Sequence, residues 1–85
     1  MLACYDVPDR AFIDSIFEDM DLVKTREDDN GGEFYRNVVS ATEHRFQVID
    51  TLEGQPNIRI AFGTRDVETF TEFCNLVNTR LGTQT

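Results

Sequence analysis

A chain of 85 residues forms one domain with one core, because at this length folding buries only about 60–65% of the surface the unfolded chain exposes. An apolar fraction of 40% with seven Phe excludes a disordered chain, although 28% of the residues are charged. Sixteen acidic against eight basic residues give a formal charge of -8, which repels nucleic acid and anionic membranes and leaves cationic or neutral partners.

Leu2 to Val7 is short and apolar, and reads equally as an edge strand or as a lead-in to the helix that follows. Pro8 suits a first helical turn, and Asp9 stands well against the positive end of the helix dipole. The helix is expected from about Pro8 to Met20, with Phe12, Ile13, Ile16, Phe17 and Met20 on one face. Its solvent face carries Asp14, Glu18 and Asp21. Asp14 and Glu18 are like charges four residues apart, an arrangement that costs an isolated helix a few tenths of a kcal/mol.

Leu22 to Arg26 and Phe34 to Val39 flank the acidic, glycine-containing run Glu27 to Glu33, where the Asn30-Gly31 pair supplies positive φ for a hairpin turn. Register is ambiguous here, since Phe34 with Val38 or Tyr35 with Val39 can claim the core face. A cleaner hairpin follows. Phe46 and Val48, then Ile58, Ile60 and Phe62, alternate with polar or small residues across a Glu53 to Pro56 turn. From Asp66 the period becomes helical, with Val67, Phe70, Phe73, Cys74, Val77 and Leu81 on one side, Glu68 and Glu72 on the other, and Gly82 as the C-cap before a tail.

The expected architecture is α+β: a four-stranded antiparallel meander, five-stranded if Leu2 to Val7 joins, with the N-terminal and C-terminal helices on one face and the other face open. That open face is expected to show Arg45, Gln47, Ile49, Arg59 and Ala61, with Tyr35 or Arg36 beside them. No segment is long and apolar enough to span a membrane. Met1 to Cys4 has the look of a lipoprotein box without the apolar run that must precede one, so a cytoplasmic protein is the expectation. Cys4 and Cys74, seventy positions apart, read as free thiols.

Chemistry is sparse. EF-hand spacing fails in the Glu27 to Glu33 run: with Gly31 at the sixth position Arg26 falls at the first and Asn37 at the twelfth, and with Gly32 there the twelfth is Val38. His44 is the only His, which excludes a multi-His metal site and reads as structural or solvent-exposed. Ser15 and Ser40 lack a nucleophile-elbow context, and Gly31-Gly32 precedes no helix that would cradle a phosphate. No catalytic residue, metal or cofactor is expected, and the chain does not read as an enzyme. Asp50 breaks the hairpin's alternation by pointing inward. It sits beyond the core edge, is displaced by a bulge at Ile49, or pairs with Arg36 or Arg59.

The best-supported reading is an acidic interaction module that engages a basic protein, such as a nucleic-acid-binding protein, by occupying its nucleic-acid site. The candidate contact residues are Asp14, Glu18, Asp21, Glu27, Asp28, Asp29, Glu33, Glu68 and Glu72. Small acidic inhibitors common among viral counter-defence proteins resemble this chain in composition, and no motif names a family. The alternative is a salt-adapted or merely acidic regulatory domain that forms a homodimer through Arg45, Ile49 and Arg59. The two differ in one respect: salt adaptation spreads acids evenly, whereas mimicry of nucleic acid gathers them on one side. Lys24 is the only Lys beside seven Arg, a bias compatible with either reading or with genome base composition.

Overall fold

The computed structural model describes every residue except Leu52, Glu53, Gln55, Gln84 and Thr85, so Glu53 and Gln55 of the expected Glu53 to Pro56 turn and the end of the tail lie outside the described residues. The element order is β1 (Leu2–Val7), α1 (Arg10–Asp19), β2 (Leu22–Glu27), β3 (Glu33–Asn37), β4 (His44–Thr51), β5 (Ile58–Gly63) and α2 (Val67–Gly82). The strands form one antiparallel sheet in the order β1-β5-β4-β3-β2. Thus β2 to β5 are the expected meander, and Leu2 to Val7 joins as a fifth strand beside β5. α1 carries the chain from one sheet edge, β1, to the other, β2.

Both helices cover the same face. Phe17 of α1 and Phe73 of α2 meet each other with ring centroids 5.9 Å apart, and both reach Phe62 of β5, at 6.1 and 4.1 Å. Phe17 also packs on Tyr35 at 4.3 Å and edge-on to Phe46 at 5.3 Å, so one helix residue ties three strands and the second helix together. Around these rings Val7, Ile13, Ile16, Ile60 and Val77 are fully buried. The Phe17–Phe46 pair is edge-to-face, an arrangement that ring quadrupoles favour, and the Phe62–Phe73 pair is stacked.

Local chemistry sets the boundaries, and several differ from expectation. α1 begins at Arg10 because Asp9, in extended conformation, is its N-cap and accepts a hydrogen bond from the Phe12 amide at 2.9 Å; a carboxylate caps better than Pro8 starts a turn. The β2–β3 hairpin closes through a turn at Asp28 to Gly31, with the Gly31 amide donating to the Asp28 carbonyl at 3.4 Å. Gly31, at φ 84°, alone supplies the left-handed residue. α2 runs through Gly82 to a C-cap at Thr83, not Gly82, and its first apolar residue, Val67, is exposed rather than on the core stripe. In that turn Asp66 caps the helix by accepting from the Glu68 amide, which places Val67 outside the sheet's cover.

Register is resolved by the sheet. Glu33, Tyr35 and Asn37 share the helix-covered side with Phe46 and His44, while Phe34 and Arg36 face the open side opposite Arg45 and Val23. Val38 and Val39 claim neither face; they form the turn after β3 and stand exposed. In β4 the ladder shifts between Val48 and Asp50, leaving Ile49 as the extra residue of a bulge and Asp50 opposite Arg59 on the open side. The bulge spares the core a carboxylate.

Candidate functional site

The charges divide between the two sides of the sheet. On the helix side stand Asp9, Asp14, Glu18, Asp19, Asp21, Glu27, Glu33, Asp66, Glu68 and Glu72, against Arg10, Lys24 and Arg80. On the open side Arg26, Arg36, Arg45 and Arg59 stand against Asp6, Asp28, Glu43 and Asp50, so the signs nearly balance there. Among these residues the net negative charge falls on the helical side.

The candidate contact acids fall into two groups. Four are already engaged. Glu33 receives a two-pronged pair from Arg10, at 2.8 and 2.6 Å, and a hydrogen bond from the Tyr35 hydroxyl at 2.7 Å. Arg10 holds the Glu33 carboxyl far below the usual range, at about 2, while burial and the neighbouring carboxylate push the Tyr35 phenol up. Asp14 pairs with Arg10 at 2.9 Å and Glu27 with Lys24. Asp28 accepts from the Asn30 and Gly32 amides, at 2.9 and 2.7 Å, and from Arg45 at 3.3 Å. The Gly32 amide bond is the chief cause of its lowered pKa. These four carboxylates are engaged within the fold, Asp14 and Glu27 while more than half exposed.

The other five, Glu18, Asp21, Asp29, Glu68 and Glu72, are exposed and make no ion pair among the described residues. Glu18 and Asp21, with Asp14, rim a groove of about 400 Å³ between α1 and β2 whose floor is Phe17, Leu22, Tyr35 and Val38, with Val23 at its edge. Glu68 and Glu72 flank Val67 and Leu76 on the outer side of α2. The groove has no signature in the sequence, because its walls come from separate elements. Its one readable trace is the pair Val38-Val39, apolar residues that satisfied no strand alternation.

The open-face candidates are less available than their position implied. Arg59 donates twice to Asp6, at 2.9 and 3.3 Å, Arg45 holds Asp28, and Ile49 sits half exposed in the bulge. Arg36, not Tyr35, joins them on that face. Arg26 stacks over Phe34 at 3.8 Å and pairs with Glu43 at 3.3 Å.

His44 is buried beneath Thr64, whose hydroxyl lies 2.6 Å from Nδ1 and accepts the Asp66 amide at 3.0 Å. Burial lowers its pKa, with Asp66 acting weakly in the opposite direction, so the ring is neutral at pH 7. Both cysteines are free: Cys4 is exposed on β1, and Cys74 is partly buried against the core. Among the described residues no group of three or more His, Cys, Asp or Glu side chains is placed to hold a metal, and no helix is long and apolar enough to cross a membrane. Set against protein-family models, curated proteins and solved structures, the chain matches none.

Proposed function

We propose that the chain is an acidic protein-interaction module whose helical side engages a basic protein, in the manner of an inhibitor that takes the place of nucleic acid on a nucleic-acid-binding partner. The supporting observation is the division of charge: acids are concentrated on the helix side, and the open sheet side is close to neutral. Salt adaptation calls for acids on every face, whereas imitation of a phosphate backbone calls for one dense face. Glu18, Asp21, Glu68 and Glu72 supply unpaired charge on that side, and a cytoplasmic location accords with partners of this kind.

Competition tests this reading. The chain is added to basic DNA- and RNA-binding proteins carrying labelled oligonucleotide, and displacement is followed as salt rises. Displacement that weakens with salt, and that is lost in the variant E18Q/D21N/E68Q/E72Q, is the expected result. Displacement indifferent to salt and to that variant, or none at any salt, refutes it.

A further inference from the structure

The acidic helix side is not uniform, and the groove between α1 and β2 combines an apolar floor with an acidic rim. Its floor is apolar, formed by Phe17, Leu22, Tyr35 and Val38. Val38 of that floor is 68% exposed, and Val39, the next residue of the turn after β3, is 91% exposed. Two exposed valines at the edge of the groove are apolar surface that a partner would remove from water.

The rim is negative for three reasons that add. Glu18 and Asp21 carry no ion pair among the described residues, and the last turn of α1 contains no base. The carbonyl end of the helix itself bears negative partial charge, so acids placed there oppose helix stability instead of serving it. Asp21 moreover holds φ 56°, the left-handed conformation in which glycine would sit without strain. A cation seated between Glu18 and Asp21 relieves the repulsion.

The other surfaces lack one half of this pairing. The outer side of α2 sets Glu68 and Glu72 beside Val67 and Leu76, but it is a single helix face without side walls. The open-face hollow near Arg45 and Arg65 has Phe34 within it, and there Glu43 and the Asp28–Arg45 pair mix the signs.

We infer that the α1–β2 groove seats a segment of the basic partner in which a lysine or arginine stands next to an apolar residue, the apolar side chain on the Phe17–Leu22–Val38 floor and the cation between Glu18 and Asp21. This rests on the reading of the chain as a binder of basic proteins and names where and how it binds. A cationic side chain has the right shape for the position, since its aliphatic stem lies along apolar surface while its charged head reaches the rim.

Two capped synthetic peptides of equal length and charge separate the possibilities, one of alternating lysine and leucine and one of alternating lysine and serine. Each is titrated into the ¹⁵N-labelled full chain, with amide shifts as the readout. The leucine peptide is expected to bind at least about tenfold more tightly, with the largest shifts from Phe17 to Val23 and at Val38. E18Q/D21N should weaken it about five- to tenfold, and E68Q/E72Q should leave it within about twofold. D21G guards against misfolding, because glycine relaxes the left-handed turn; its affinity should fall in a protein at least as stable as the parent. Equal binding of both peptides with shifts along α2 overturns the groove and leaves the acidic-module reading standing. If neither peptide binds even at low salt, both readings are overturned.

Discussion

Arg10, the first residue of α1, and Glu33, the first residue of β3, meet in a two-pronged ion pair with Nη1–Oε2 at 2.8 Å and Nη2–Oε1 at 2.6 Å. The guanidinium also donates to the Tyr35 hydroxyl at 2.6 Å and lies 4.9 Å from the centre of the Phe46 ring. One side chain thus fixes the start of the first helix against the middle of the sheet, at the corner where the helix-side acids begin.

Removal of that carboxylate has a pH signature. Glu33 titrates at about 2 in the folded chain against 4.5 ordinarily, chiefly through its bond from Arg10. A depressed carboxylate contributes stability that is complete above about pH 4.5 and is lost as pH falls toward 2. E33Q is expected to cost about 1–2 kcal/mol at pH 7, less than a fully buried pair, because Arg10 is 37% exposed and solvent screens the interaction. Urea unfolding across pH 2–7 checks it: the difference between parent and variant should shrink toward acid.

His44 acts in a different window. Its folded pKa is lowered by burial, so the unfolded chain takes up a proton first as pH falls below about 6.5. Stability should decline from pH 7 toward 5, and H44F, which cannot take up that proton, should lose this component of the slope. T64V should cost about 1–3 kcal/mol at neutral pH by leaving His44 Nδ1 and the Asp66 amide without the hydroxyl they share. Chemical denaturation at two pH values separates the effects.

Phe17 stands at the centre of the aromatic cluster, in contact with Tyr35, Phe46, Phe62 and Phe73. F17A should cost about 3–5 kcal/mol, a large share of the roughly 4–13 kcal/mol expected for a chain of 85 residues. A broad or absent thermal transition is the expected outcome, with F17L intermediate.

The bulge makes an unusual deletion harmless. Removing Ile49 restores a regular ladder in which Val48 still opposes Ile60 and Asp50 still opposes Arg59, so stability should change by only about 1 kcal/mol. Removing Gln47 instead moves either Phe46 or Val48 to the open face and should abolish cooperative unfolding. Amide spectra of the two deletion variants decide the matter.

What the sequence determined by itself is the set of elements and their buried sides. Period-two alternation at Phe46, Val48, Ile58, Ile60 and Phe62, and helical spacing at Ile13, Ile16, Phe17, Phe73 and Val77, follow from local geometry and required no knowledge of neighbours. The weaker β3 pattern left open whether Phe34 or Tyr35 was inside, because both are aromatic; the choice came from Glu33 and Tyr35 finding Arg10 on a helix 23 and 25 residues earlier. Asp50 is similar, since alternation exposed the conflict and only pairing with Arg59 across the sheet showed how the bulge removes it. The division of the acids into paired and unpaired groups was legible only in part. Asp14 and Glu27 have partners three or four residues away, Arg10 and Lys24, which spacing alone could offer; Asp28 and Glu33 differ from Glu18 only through arginines that tertiary packing brings to them, Arg45 and Arg10. The groove between α1 and β2 belongs to the same category, because its floor and its rim are assembled from α1, β2, β3 and the turn after β3.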